Sequence, residues 1–197
     1  MTLRLFIAVE LSPEVKQAVA DAIARLRKGI QFTPAHPAWV APNAMHLTLK
    51  FFGATSEEDV PRLNEILTES VKNEPEFEVS AEGLGVFPSP HRPSVLWMGI
   101  KEGKANLTRL AARIDQRVES LGFEREKRDY HPHLTLARIK ALRGAAAMME
   151  VVDSHKHLSA GHCRITRVVL FKSDLRPEGA LHTPIAFFPL APPIAAG

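Results

Sequence analysis

Alternating blocks of apolar and polar residues divide the chain into strands and helices. Residues 3–11 are almost continuously apolar, which is typical of a strand that is buried on both faces. Residues 12–14 (Ser-Pro-Glu) then supply a capping residue, a proline at the first helical position and an acid in the first turn. Apolar residues recur at helical spacing as far as Leu26, and we expect Gly29 to end this helix.

The predicted elements occur in the same order twice. The first half contains strands over 3–11, 45–52 and 77–86, helices over 13–28 and 56–72, and a proline-rich loop over 33–42, with Gly53 expected to end the second strand. The second half contains strands over 95–100, 133–139, 165–172 and 185–190, helices over 104–121 and 143–152, and a hairpin connection over 174–184. We therefore predict one domain over residues 1–190, built from internal repeats over about 3–87 and 94–190, with a frayed tail over 191–197.

Composition narrows the class of protein. The chain has 197 residues, of which 45% are hydrophobic and 24% charged, and this excludes an intrinsically disordered protein. The net charge of +3 fits an anionic partner, although the sequence has no dense Lys/Arg runs of the kind that drive nucleic-acid binding by charge. Cys163 is the single cysteine, which excludes an intramolecular disulfide and makes a cytoplasmic location the expectation. Apolar stretches stay well below the roughly 18 residues that span a bilayer, so we expect no membrane attachment.

The most informative motif is the tetrapeptide His-Leu-Thr-Leu, which occurs at residues 46–49 and again 87 positions later at residues 133–136. Far fewer than one copy is expected by chance, so the two copies point to a repeated unit. Side chains alternate along a strand, so His46 and Thr48 share one face while the leucines share the other. His133 and Thr135 are paired in the same way, and a pseudo-two-fold axis between the halves sets the two pairs face to face across a groove.

Two opposed imidazoles and two hydroxyls suit the chemistry of phosphate esters. The unperturbed pKa of histidine is about 6.5, so near neutral pH one ring can accept a proton while the other donates one. Hydroxyl groups can donate hydrogen bonds to the non-bridging oxygens, where negative charge develops during transfer. This chemistry needs neither a metal ion nor a cofactor, and we predict none.

The remaining histidines have simpler interpretations. A metal site is one interpretation of His155, His157 and His162, with Asp153 and Cys163 nearby. Their spacing matches no common ligand pattern, so a solvated surface is preferred. Cys163 is otherwise interpreted as an inert small residue, because no partner resembles a thiol-activating base.

Several residues close to the motifs have two interpretations each. His131 either shapes the approach to the second motif or contacts a ligand, and His91-Arg92 either contacts a phosphodiester backbone or stays solvated. Trp39, Tyr130 and Phe32 either stack on a base or, as we prefer, pack a loop onto the core. Neither G-x-S-x-G nor GxxxxGK[ST] occurs, so serine-hydrolase and P-loop functions have no support.

Three further segments extend the motifs into a family resemblance. They are residues 4–10 (RLFIAVE), 85–88 (GVFP) and 130–138 (YHPHLTLAR). Together with the paired His-x-Thr motifs, they make the chain resemble the 2H phosphoesterase superfamily, and within it the bacterial and archaeal RNA 2′,3′-cyclic phosphodiesterases, also called 2′-5′ RNA ligases. The resemblance implies a bilobal α+β fold, in which two lobes related by a pseudo-two-fold axis place antiparallel sheets around a central cleft and helices outside.

The resemblance also implies roles for individual residues. His46 is expected to be the proton donor and His133 the proton acceptor when a terminal 2′,3′-cyclic phosphate is hydrolysed to a 2′-phosphomonoester. The residues expected to bind the phosphate are Thr48, Thr135 and Arg138. Arg138 lies five residues after His133, so an ideal strand turns it to the opposite face and its role requires a twist or a bulge. Phe51 stands at the equivalent position of the first copy.

The expected function is therefore that of a metal-independent RNA 2′,3′-cyclic phosphodiesterase, with reversible 2′-5′ RNA ligase activity left open. Its partner is expected to be RNA or a nucleotide with a terminal 2′,3′-cyclic phosphate, and the chain is expected to be a monomer without an obligate protein partner. Two alternatives remain. One is a related enzyme acting on ADP-ribose 1″,2″-cyclic phosphate or 2′-5′ oligonucleotides, and the other is an RNA-end binding module without turnover. Because the motifs are nearly identical, the acid and base assignments rest on the resemblance.

Overall fold

The computed structural model describes residues 1–30, 37–139, 145–176 and 179–192. Its strands are β1 (Thr2–Val9), β2 (Pro37–Trp39), β3 (Leu47–Ser56), β4 (Phe77–Phe87), β5 (Val95–Ile100), β6 (His133–Ile139), β7 (Ser159–Ile165), β8 (Arg167–Arg176) and β9 (Gly179–Pro189). Its helices are α1 (Pro13–Ile30), α2 (Val60–Val71), α3 (Lys104–Val118) and α4 (Ala145–Ser154).

The apolar run near the amino terminus forms β1, a central strand of the first sheet. This sheet has the order β3-β1-β8-β9, and its neighbours pair antiparallel. Leu5, Ile7 and Val9 are fully buried in the main core. The intervening Phe6 and Ala8 join Val169 and Phe171 in a separate buried cluster on the opposite face. We call the face that carries this cluster the open face of the first sheet. The ring of His46, from the first motif, packs against Phe6 on this face.

The second sheet has the order β2-β6-β5-β4-β7, and its neighbours also pair antiparallel. Each sheet combines both halves of the chain, since β8 and β9 join β1 and β3 while β4 joins β5 and β6. The strands that carry the two motifs, β3 and β6, contact each other, and we call the groove between the motif-bearing faces of the two sheets the cleft. The predicted α+β fold with antiparallel sheets around a cleft and helices outside is therefore confirmed.

Helices cover the faces of the sheets that point away from the cleft. Ser12 accepts a hydrogen bond from the backbone N–H of Val15 at 3.3 Å, as expected of a capping residue. The buried residues of α1 and α3 recur at helical spacing and join one core; they are Val15, Val19, Ala22, Ile23, Leu26, Ile30, Leu107, Leu110, Ala111, Ile114 and Val118. The amphipathic pattern predicted for α1 is therefore confirmed, and α3 lies within the helix predicted over 104–121.

A buried ion pair ties the first motif strand to the second half of the chain. Lys50, on β3, is 8% exposed and donates to Asp115 on α3 at 2.5 Å and to the Glu124 carbonyl at 2.8 Å. A buried ammonium group is tolerated only with such partners. Tyr130, just before β6, donates its hydroxyl hydrogen to the Thr48 carbonyl at 2.8 Å, and burial raises the pKa of Tyr130. These bonds fix β3 relative to the segment that leads into β6.

Several predicted boundaries were wrong. Gly53 does not end the strand: with φ of 71°, it sits in a bulge that leaves Phe52 unpaired, and β3 continues to Ser56. Within the loop predicted over 33–42, residues 37–39 form β2, while residues 31–36 lie outside the described part of the chain. The helix predicted from 143 is described from Ala145, because residues 140–144 also lie outside it.

Two strands of the second half differ from the sequence prediction. The prediction missed β7, because four of its seven residues are exposed and a register shift interrupts the alternation that marks a strand. The hairpin of β8 and β9 is longer than predicted, since Asp174 pairs with Leu181 and Leu175 with Ala180 inside the segment predicted as a connection. This end of the hairpin is polar or exposed, so its composition is that of a loop. Ala191, placed by the prediction in the tail, exchanges two backbone hydrogen bonds of 2.8 Å with Glu74 and Glu76.

Candidate active site

The two His-Leu-Thr-Leu copies show the alternation expected of strands. Both leucines of each copy are buried in the core, whereas His46, Thr48, His133 and Thr135 are half-buried on the other side. β3 contacts β6, and a positive charge on His133 lowers the pKa of His46, although burial is the largest cause of that shift. The structure thus brings both motifs to the same cleft.

Each motif contains a β-bulge at its second leucine. Ala8 pairs with Thr48 and Ile7 with Lys50, which leaves Leu49 unpaired. Likewise, Trp97 pairs with Thr135 and Leu96 with Ala137, which leaves Leu136 unpaired. A bulged residue shifts the alternation of side chains by one position. The next exposed side chain therefore comes five residues after each histidine instead of four.

The bulge turns Arg138 toward the cleft. Along β6, Leu136 and Ala137 are both buried and Arg138 is exposed, on the side that His133 and Thr135 occupy. The proximity of Arg138 has an electrostatic effect: burial lowers the pKa of His133, and the charges of His131 and Arg138 lower it further. The bulge that the role of Arg138 requires is thus present.

The same shift on β3 turns Phe51 toward the cleft. Phe51 is 64% exposed, and its ring centroid lies 5.7 Å from that of Phe6 on the open face of the first sheet. Phe51 and Arg138 consequently occupy equivalent positions on opposite sides of the cleft, one apolar and one cationic. The sequence comparison of the two copies aligned these residues; ideal alternation turns Arg138 to the opposite face, and the bulge at Leu136 reverses this.

A backbone carbonyl orients the ring of His133. Its Nδ1 lies 2.7 Å from the His131 carbonyl oxygen, and because a carbonyl only accepts, Nδ1 carries the hydrogen. In the neutral ring, Nε2 is then an unprotonated acceptor. The ring also packs edge-on against Phe87 at 5.0 Å and lies 6.3 Å from Trp97. His133 is therefore held in the tautomer that a general base requires.

His46 lies in a more enclosed, aromatic environment. Its ring centroid is 4.7 Å from that of Phe6 and 6.0 Å from that of Phe171. Burial and the neighbouring His182 lower the pKa of His46 to about 4, with smaller contributions from Lys16 and His133. The backbone of Ala44, two residues before His46, acts in the opposite direction, as that of His131 does for His133. In the unliganded protein His46 is therefore neutral at pH 7.

The sequence analysis missed two side chains of the cleft. His182, on β9, contacts His46 edge-on, with ring centroids 5.2 Å apart. It lies in the segment predicted as a connection, so no pattern pointed to it. Trp97 faces the cleft from β5, and a Cβ atom at Gly85 would lie 2.2 Å from its indole ring. Alternation along β5 places Trp97 on the same face as the Thr135 with which it pairs.

The other candidate residues lie outside the cleft or support it indirectly. Tyr130 and Trp39 pack against the core, with the Arg27 guanidinium 5.8 Å from the Trp39 ring, and Phe32 lies outside the described residues. His91 and Arg92 are exposed in the connection between β4 and β5. The ring of His131 is exposed, while its carbonyl holds His133.

The histidines considered for a metal site do not form a cluster. The ring of His155 is close to the Val151 carbonyl, His162 is exposed on β7, and burial raises the pKa of Cys163. Among residues 1–30, 37–139, 145–176 and 179–192, no three His, Cys, Asp or Glu side chains are grouped to hold a metal ion. Within the same residues, no helix combines the length and the apolar character needed to cross a membrane.

Comparison with known proteins gives the same family as the motifs. The family model of the 2′-5′ RNA ligase superfamily matches residues 12–177. The RNA 2′,3′-cyclic phosphodiesterase of Methanothermobacter thermautotrophicus is 32% identical over 190 residues, covering 96% of this chain and 100% of that protein. The enzyme of the same name from Archaeoglobus fulgidus is 34% identical over 186 residues, covering 94% and 99%.

Solved structures share the fold. The crystal structure of TT0787 from Thermus thermophilus has a TM-score of 0.78 and 27% identity, covering 95% of this chain and 98% of that one. E. coli LigT complexed with 3′-AMP has a TM-score of 0.75 and 23% identity, covering 96% and 99%. From the family match and these relatives, the chain belongs to the 2′-5′ RNA ligase superfamily, the 2H phosphoesterases.

Proposed function

We propose that this chain is an RNA 2′,3′-cyclic phosphodiesterase that hydrolyses a terminal 2′,3′-cyclic phosphate to a 2′-phosphomonoester. The observation that carries the proposal is the arrangement of two equivalent imidazole–hydroxyl pairs, with Arg138 beside one of them, around a single cleft. The names of the curated relatives support the same activity. The ligand is RNA or a nucleotide, and no protein partner is needed for the reaction.

In the proposed reaction, His133 acts as the base. Its Nε2 takes a proton from water while the water oxygen attacks phosphorus. Thr48, Thr135 and Arg138 hold the non-bridging oxygens, where charge increases in the transition state. The bond between phosphorus and the 3′-oxygen breaks, and protonated His46 gives its proton to that oxygen. Afterwards His133 carries the proton and His46 lacks one, so exchange with solvent restores the starting state.

The surroundings of His133 support its role as the base. Both rings have a backbone partner two residues earlier in the chain, so their anchoring is equivalent. Burial lowers the pKa of His133, and the charge of Arg138 adds a smaller effect in the same direction, so the neutral, accepting form is favoured. His46 also has a cationic neighbour, since Lys16 lowers its pKa alongside the larger effects of burial and His182, so its role as the donor depends on a bound phosphate that favours the protonated form.

The two sides of the cleft also suggest how a nucleotide is oriented. The cationic Arg138 attracts the phosphate, whereas the exposed phenyl ring of Phe51 offers a surface on which a nucleobase stacks. Stacking of a base on an aromatic side chain contributes about 1–3 kcal/mol. The asymmetry between the two copies therefore gives the cleft a phosphate side and a base side.

Anion binding is expected to raise the pKa of His46. In the free protein this pKa is about 4, and a dianion in the cleft stabilises the imidazolium. The anion therefore binds with proton uptake at pH values above about 4, and its affinity falls as the pH rises toward the pKa of the complex. NMR titration of the His46 ring with and without sulfate, which stays a dianion over this range, measures the shift.

Exposed His162, on β7, is the internal control of that titration, and sulfate should leave its NMR signals unchanged. If the pKa of His46 stayed near 4 with the cleft saturated by sulfate, His46 would be neutral under working conditions. The role of proton donor would then be lost.

The identity of the product tests the proposed function directly. A dinucleotide ending in a 2′,3′-cyclic phosphate should yield a 2′-phosphate, and EDTA should not change the rate. A 3′-phosphate product would contradict protonation of the 3′-oxygen. Binding without any turnover would instead favour an RNA-end binding module. Parallel assays with ADP-ribose 1″,2″-cyclic phosphate, 2′-5′ oligonucleotides and RNA ends for ligation determine which substrates this cleft accepts.

A further inference from the structure

A third imidazole, that of His182, lies beside His46 in the cleft. His182 pairs across the sheet with Ser173, which places its side chain on the open face of the first sheet. Its ring meets Phe6 at 4.9 Å and His46 at 5.2 Å, both edge-on, with interplanar angles of 79° and 87°. His182 is thus held by rings on two sides.

The two ring nitrogens of His182 are in different environments. Nδ1 is buried and has no hydrogen-bond partner among the described residues, whereas the residue as a whole is only half-buried. A buried N–H without an acceptor is rarer in proteins than a buried acceptor without a donor. The hydrogen of the neutral ring is therefore on Nε2, and Nδ1 is the bare nitrogen.

This arrangement also disfavours the charged form of the ring. An imidazolium carries hydrogen on both nitrogens, so Nδ1 would bury a charged N–H with no acceptor. Burial accordingly lowers the pKa of His182. The groups that face His46 from other elements are Lys16 on α1 and His133 on β6, and neither of them accepts a hydrogen bond from Nδ1 of His182.

We propose that His182 is fixed as the neutral Nε2–H tautomer and donates this hydrogen to a phosphate oxygen of the substrate next to His46. The identity of that ligand rests on the proposed function. The structure shows no hydrogen bond between the described residues and either nitrogen of His182, so the Nε2–H donor is left for a ligand. His182 adds a neutral donor on the side of the cleft opposite Arg138.

Three substitutions of His182 distinguish loss of the Nε2–H hydrogen-bond donor from loss of the ring packing. His182→Phe keeps a ring against Phe6 and His46 but has no donor. In His182→Gln the side-chain amide nitrogen reaches the position of Nε2, whereas in His182→Asn it reaches only the position of Nδ1. With a dinucleotide 2′,3′-cyclic phosphate, kcat/KM should fall roughly 10-fold or more for the Phe and Asn variants, and the Gln variant should recover most of the loss.

His162→Gln, at an exposed position on β7, is the matched control and should leave kcat/KM unchanged. A purely structural role predicts the opposite order, with the Phe variant close to the parent because the phenyl ring fills the same space. Full activity of His182→Phe, or a Gln variant as weak as the Phe variant, overturns the proposal.

A second measurement does not depend on turnover. Nitrogen-15 NMR of the parent protein should show His182 with a protonated Nε2 and a bare Nδ1, and sulfate should shift the Nε2 resonance. The Nδ1–H tautomer, or no response to sulfate, overturns the assignment. If the parent failed to hydrolyse cyclic phosphates, the proposed function would fail while this test still decided the tautomer.

Discussion

Replacing His133 with alanine is expected to lower kcat for a dinucleotide 2′,3′-cyclic phosphate by about 1,000-fold or more. The substitution removes the Nε2 acceptor of the ring that the His131 carbonyl orients. General base catalysis contributes on the order of 100- to 10,000-fold to the rate. Replacing His46 with alanine should cost as much on this substrate, because the 3′-alkoxide is a poor leaving group. Rates of single turnover measure both effects, and thermal unfolding confirms that the variants are folded.

A substrate with a better leaving group distinguishes the two histidines. A p-nitrophenyl phosphodiester releases a stable phenolate that needs no proton, so His46→Ala should retain much more activity on it than His133→Ala. His162→Ala serves as the control at an exposed position outside the cleft. Equal losses for both variants on both substrates would refute the assignment of acid and base. Full activity of either variant on the cyclic phosphate would refute the site itself.

Replacing Arg138 with alanine is expected to lower kcat/KM by roughly 100-fold, because a guanidinium that pairs with phosphate oxygens stabilises the transition state. Arg138→Lys keeps the positive charge but cannot form bidentate hydrogen bonds, so this variant should recover only part of the lost kcat/KM. Arg92→Ala removes an exposed arginine from the connection between β4 and β5 and should leave the rate unchanged. Steady-state kinetics with all three variants measures these differences.

An Arg138→Ala variant within about 3-fold of the parent would contradict a phosphate contact. The pH profile gives a second readout of the same substitution. The rise of kcat/KM at low pH reports deprotonation of the base, His133. Since the Arg138 charge lowers the pKa of His133, removing that charge should move this rise to higher pH.

Local sequence patterns were sufficient to predict much of the candidate site. The tetrapeptide defines its own strand, since two leucines must be buried and the histidine and threonine then share the other face. The start of α1 was predictable for a similar reason, because its capping residue Ser12 and the helical spacing of its apolar residues act within one or two turns.

The remaining features depend on contacts between distant residues. The bulges at Leu49 and Leu136 are defined by pairing with β1 and β5, so the sequence of the motif showed that Arg138 needs a twist or a bulge but not that a bulge is present. His182 enters the cleft only because β9 pairs with β8 over its full length. A polar segment that gains its partners from another part of the chain has the composition of a loop, which is why this strand was assigned too short.

The exchange of strands between the two halves makes each histidine dependent on the opposite half. The sheet that carries His46 is completed by β8 and β9, and Phe171 of β8 forms part of the surface beneath its ring. The sheet that carries His133 is completed by β4, whose Phe87 supports that ring. A half of this chain produced alone would therefore keep its histidine but lose one wall of the pocket around the ring. Both halves must be combined to restore the two pockets.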